Sequence, residues 1–89
     1  MEISYSPGFL RSLHSFSSSL QTEVIEKVEL LKNFDNHSML KVHKLSGVFK
    51  GCYSCSVNYH VRIIFQFVGK PKQAYLLAVD NHDGAYKKS

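Results

Sequence analysis

The segment HVRIIFQFVGKPKQAYLLAVDN, residues 60–81, restricts the fold more than any other part of the chain. Two apolar runs, HVRIIFQFV (60–68) and AYLLAVDN (74–81), are separated only by GKPKQ. A connection this short favours antiparallel pairing of the two strands. Within the first run Val61, Ile63, Phe65 and Phe67 alternate with His60, Arg62, Ile64 and Gln66. Successive side chains on a strand point to opposite faces. The first set is a buried face; the second places Arg62 on the other side, with His60 beside it if the strand begins that early.

A buried sheet face needs a cover, and the first third of the chain supplies one. EISY (2–5) alternates and reads as a short strand. SPGFLRSLHSF then reads as a helix, with Ser6 as N-cap, Pro7 in the first turn, and Phe9, Leu13 and Phe16 on one side. SSSLQTEVIEKVELLKNF is a second helix. Ser18 and Gln21 suit a capping box, Leu20, Val24, Val28 and Leu31 form an apolar stripe, and Glu23–Lys27 is a favourable i, i+4 pair. FDNHS (34–38) carries turn residues and ends it. VFKGCYSCSV (48–57) is a further strand candidate. The order is β-α-α-β-β-β. The expected fold is α+β, with both N-terminal helices together on a small, mainly antiparallel sheet. The core-facing set is expected to include Val61, Ile63, Phe65, Tyr75, Leu77 and Val79. Ser54 and Ser56 are expected on the other face, with His60 and Arg62, if the strands pair in register.

With 89 residues the chain is expected to form one domain, 1–89, around a thin core. At 44% hydrophobic and 20% charged residues it reads as globular, not disordered. MEISYSPGFL does not have the form of a signal peptide, and no apolar run nears the roughly 20 residues of a membrane span, so a cytoplasmic location is expected. Cys52 and Cys55 form a C-x-x-C, but on a strand two residues three apart face opposite ways, and no second pair completes a zinc site. Reduced thiols, buried or half-buried, are the expected state. The formal charge is +4 with the five histidines neutral, and Lys41, Lys44, Lys50, Arg62, Lys70, Lys72, Lys87 and Lys88 all lie in the second half. That distribution suits a polyanionic partner.

Four local motifs, in order and at matching spacing, resemble the RelE/ParE superfamily of bacterial toxins. SPGFLRSLHSF is similar to the family's opening helix, KVHKLSGVFKG (41–51) to its segment entering the second strand, YHVRIIFQF to its arginine-bearing strand, and AVDNHDGAY (78–86) to its closing motif. The likeness spans nearly the whole chain and is nearest to the YafQ-like branch of messenger-RNA endonucleases. It places His43, His82 and Tyr86 at positions that carry the family's site. Ser56 stands at a family histidine position and His60 at a family aspartate position, while Arg62 resembles the strand arginine of the RelE and YoeB branches. The set is a hybrid.

The resemblance implies an endoribonuclease that works by attack of the 2′-hydroxyl without metal or other cofactor. Such cleavage needs a base, a cation on the phosphorane, and an acid for the departing 5′-oxygen. By pattern alone Arg62 is an ordinary sheet residue; the resemblance makes it the transition-state stabiliser. His82 becomes the candidate acid and Tyr86 a stacking or hydrogen-bonding residue, where pattern alone reads a turn histidine and an aromatic at a sheet edge. His43 and His60 are acid or base candidates. Lys41, Lys44 and Lys50 are expected to touch phosphates. Implied partners are a cognate antitoxin in a hetero-oligomeric complex, messenger RNA, and the ribosome with its 16S rRNA; no membrane is implied. Two other readings stay open: a ParE-type toxin that poisons gyrase without nuclease chemistry, and a decayed toxin that only binds its partner.

Overall fold

The structure, a computed structural model, describes residues 1–81, the last of them by its backbone alone. His82 and Tyr86 therefore lie outside the described residues. The chain runs β1 (Glu2–Tyr5), α1 (Pro7–His14), α2 (Ser18–Leu31), β2 (His43–Lys44), β3 (Tyr53–Ser56), β4 (Val61–Val68) and β5 (Gln73–Asn81), with short 3-10 turns at Phe34–Asn36 and Gly47–Phe49. The five strands form one sheet in the order β1-β5-β4-β3-β2. β1 pairs parallel with β5, and every other pairing is antiparallel. Two helices on a mainly antiparallel sheet is the α+β arrangement expected from the sequence.

Each helix starts where its sequence permits. Ser6 caps α1, its hydroxyl accepting from the Phe9 amide at 3.0 Å, and Pro7 fills the first position, where no amide donor is needed. For α2 the cap is Ser17, one residue earlier than the capping-box reading placed it; its hydroxyl accepts from the Leu20 amide. Gln21 consequently does not complete a box and donates instead to the Phe16 carbonyl. The Glu23–Lys27 pair also gives way to a tertiary contact, since Glu23 accepts a 2.7 Å hydrogen bond from Asn58. The apolar stripe is core as expected: Val24, Val28 and Leu31 are buried with Phe9 and Leu13 against Cys55, Val57, Val61, Ile63, Phe65, Ala74, Leu76 and Val79.

Two strand expectations need correction. Residues 48–52 are not extended; a 3-10 turn leads into β3, and the extra strand is the two-residue β2 upstream. Tyr75 and Leu77 do not face the helices. Ile64 pairs with Ala78 and Phe65 with Leu76, which leaves Leu77 as an extra residue in β5. Such a bulge shifts the side-chain phase by one. After the bulge Val79 points into the core as expected. Before it Ala74 and Leu76 do so, in place of Tyr75 and Leu77, which are only half-buried. The hydroxyl of Ser6 donates to the Leu77 carbonyl at 2.9 Å, and the Ser6 amide donates to the Leu76 carbonyl. The cap of α1 and the bulge are therefore one hydrogen-bonded unit.

Candidate functional site

The sheet face away from the helices carries a cleft of about 260 Å³ at the β2–β3–β4 end, lined by Lys41, His43, Ser54, Ser56, Asn58, Tyr59, Val61 and Arg62. Register assembles it. His43 lies opposite Ser54, and Ser56 opposite Arg62. The expected shared face of Ser54, Ser56 and Arg62 is present, with His43 added by the short strand that pattern reading missed. A two-residue strand leaves no periodic signal, so only its pairing with β3 reveals it.

His43 is held in a defined orientation. Its Nδ1 is 2.8 Å from the Lys41 carbonyl and its Nε2 is 3.4 Å from the Ser54 hydroxyl. A carbonyl only accepts, so Nδ1 carries the hydrogen and the neutral ring keeps its lone pair on Nε2. That is the form a general base needs, and Nε2 lies beside the cleft-lining Ser54. Lys41 supplies the carbonyl from a left-handed backbone conformation, φ 57°, which is costly for a residue with a Cβ. The amide of Ser56 donates to the Leu40 carbonyl at 2.8 Å and ties this segment to the end of β3.

Arg62 is half-buried near the start of β4. Its neighbour on β5 is Asp80, yet among the described residues the two do not close an ion pair. The Arg62 Nε is fully buried and has no hydrogen-bond partner among the described residues. A buried donor left unmade costs about 1–3 kcal/mol. Arg62 itself lines the cleft.

The remaining candidates are distributed unevenly. Lys41 lines the cleft, but Lys44 and Lys50 line a separate hollow of about 480 Å³ with Leu45, Ser46, Gly51, Cys52 and Tyr53. His43 and Lys44 are adjacent on β2 and so face opposite ways. His60 lies in the bend before β4, not on the strand, because β4 begins at Val61. The condition for placing it on the Arg62 face by alternation is therefore not met; its amide donates to the Asn58 side chain and its ring contacts Tyr59. Pattern reading gave no role to Asn58 or Tyr59, both of which line the cleft.

Both cysteines are free thiols and buried. Burial pushes the Cys55 thiol up to about 12, against a smaller lowering from a backbone hydrogen bond at Ile63. Among the described residues, no group of three His, Cys, Asp or Glu side chains is placed to hold a metal ion, and no helix is long and apolar enough to cross a membrane.

No family model and no curated protein sequence matches the chain. Solved structures do. The YoeB/ParE toxin from Agrobacterium tumefaciens superposes with a TM-score of 0.76 at 12% identity, covering 92% of this chain and 99% of that one. RelE in the archaeal RelE–RelB complex from Pyrococcus horikoshii gives 0.71 at 18% identity, covering 91% and 93%. YafQ from E. coli gives 0.67 at 13% identity, covering 96% and 97%.

Proposed function

We propose that this chain, which has the fold of the RelE/ParE toxins, is the toxin of a type II toxin–antitoxin pair and cleaves messenger RNA. The observation that carries this reading is the pairing, in one cleft, of an Arg62 guanidinium whose buried Nε lacks a partner among the described residues with a His43 ring whose Nε2 is left as the basic nitrogen. The nuclease branches that the sequence resembles use a base and a phosphate-gripping cation of this kind.

In this mechanism His43 Nε2 removes the proton of a 2′-hydroxyl. The 2′-oxygen bonds to the adjacent phosphorus, and the P–O5′ bond breaks. Arg62, with Lys41 nearby, stabilises the charge on the phosphorane oxygens. The products are a 2′,3′-cyclic phosphate and a 5′-hydroxyl, whose oxygen takes a proton from the acid. His82 follows Asn81, which pairs with Val61 beside Arg62, and is the proposed acid; Tyr86 is proposed as its aromatic companion. His60 is the second imidazole beside this end of β4 and an alternative base. Lys44 and Lys50, in the neighbouring hollow, are proposed to hold flanking phosphates. The proposed setting is the cytoplasm, with messenger RNA cut in the ribosomal A site against 16S rRNA and the toxin neutralised by a cognate antitoxin. Solved relatives that include RelB or YefM support a partner of that type.

The test is inducible expression followed by mapping of message 5′ ends. New cuts within coding regions are expected, and Arg62→Ala, His43→Ala and His82→Ala should each abolish them. Growth arrest with intact messages and DNA damage would assign the chain to the gyrase-poisoning class. A folded chain that neither arrests growth nor cuts messages would be a binding module only.

A further inference from the structure

Tyr59 is 93% exposed, although it is one of the larger aromatic side chains in the protein. It does not lie on a loose loop. Asn58 precedes it, and the Asn58 Oδ1 accepts from the amides of His60 at 2.8 Å and Val61 at 2.9 Å. The Asn58 Nδ2 donates to the Glu23 carboxylate on α2 at 2.7 Å. The Val61 carbonyl accepts in turn from the Val57 and Asn58 amides. The bend from 57 to 60 is thus bonded to itself and to the helix layer, and it presents Tyr59 into solvent at the rim of the cleft that Arg62 and Lys41 line.

A rigidly presented, solvated aromatic ring beside cations that suit phosphate is the arrangement by which proteins hold unpaired bases: the cations take the backbone and the ring takes a base face. We infer that Tyr59 is a stacking platform for a nucleobase of single-stranded RNA whose phosphate lies against Arg62. Asn58 is then a positioning residue, which fixes the bend without touching the base. This inference rests on the ribonucleolytic reading, and it adds a residue that selects for unpaired over paired RNA, since a base within a duplex offers no free face.

The chain contains no tryptophan, so Tyr59→Trp introduces a single fluorescent reporter at the proposed contact. The probe is a short single-stranded RNA with 2′-O-methyl riboses, which binds but cannot be cut, compared with the same strand made abasic at each position in turn. The expected result is quenching of the introduced indole by the intact strand and loss of quenching at one abasic position. Tyr59→Ala should weaken binding of the intact strand about tenfold, within the range for one stacked base, and leave binding of that abasic strand unchanged. Tyr59→Phe should bind as the parent does. Because the side chain is almost wholly exposed, these variants keep the fold, which circular dichroism checks. Parent protein that binds RNA, with Tyr59→Ala equal to it and the indole of the Tyr59→Trp variant unquenched, would overturn the inference while leaving the nuclease reading intact, and would leave the ring to a protein partner. Parent protein that binds no RNA would overturn the inference, while the nuclease reading is decided separately by the mapped message 5′ ends.

Discussion

Arg62 is the residue where stability and proposed function pull apart. Its buried, unpartnered Nε is a cost to the fold with no compensating bond among the described residues. Arg62→Met is therefore expected to unfold at or slightly above the denaturant midpoint of the parent while losing RNA cleavage by about a hundredfold or more, the scale for removing one preorganised transition-state donor. A stability loss above about 1 kcal/mol would instead make the guanidinium a structural group. Cys55 behaves oppositely, as a core group with no part in the site. Its thiol is raised from 9.0 to about 12 by burial. In the unfolded chain the thiol ionises first, so between pH 9 and pH 12 the unfolded state binds fewer protons and stability falls by up to about 1.4 kcal/mol per pH unit. Below pH 9 this contribution is fully present. Denaturation series across that window should show a decline that Cys55→Val lacks, and iodoacetamide at pH 8 should label Cys55 only after unfolding.

At the scale of elements, the unit to perturb is the junction of α1 with the β5 bulge. Ser6 caps the helix through one hydroxyl lone pair and satisfies the Leu77 carbonyl through its proton. Ser6→Ala removes both and should cost about 2 kcal/mol in chemical denaturation, the upper end for an N-cap, because a partly buried carbonyl is orphaned as well. Ser17→Ala at the exposed cap of α2 should cost nearer to about 0.5 kcal/mol. Equal losses at the two sites would show that the bulge does not depend on the helix. The elements differ in how plainly the sequence encodes them. α1, α2, β4 and β5 carry repeats of period two or near four that burial rewards, so they can be read directly. β2 has two residues and the bulge has one; neither is long enough to form a period. The Tyr75 and Leu77 assignment failed for that reason, since alternation projected through an unseen bulge puts every side chain beyond it on the wrong face.

For the whole molecule, the net charge of +4 and the cations lining the cleft mean that the proposed RNA binding should be salt-dependent. For single strands the slope of log affinity against log salt is about −0.7 per phosphate contacted. Lys41→Ala, Lys44→Ala and Lys50→Ala should each flatten the measured slope by about 0.7 if each touches one phosphate; an unchanged slope removes that lysine from the interface. Taken alone, the sequence determined the layer arrangement: a hairpin of two long strands, two amphipathic helices to cover it, and a basic second half. Those features follow from local patterns of polarity, which each segment carries within itself. Tertiary structure alone decided that His43 comes to rest beside Ser54, that its Nδ1 is engaged by the Lys41 carbonyl, that Asn58 joins the 57–60 bend to Glu23 on α2, and that His60 stays off β4. The reason is physical. Apart from the Asn58–Glu23 side-chain pair, which joins residues far apart in the chain, these contacts depend on strand register and on backbone donors and acceptors, which nearly every residue possesses alike and which therefore leave no mark in the side-chain pattern.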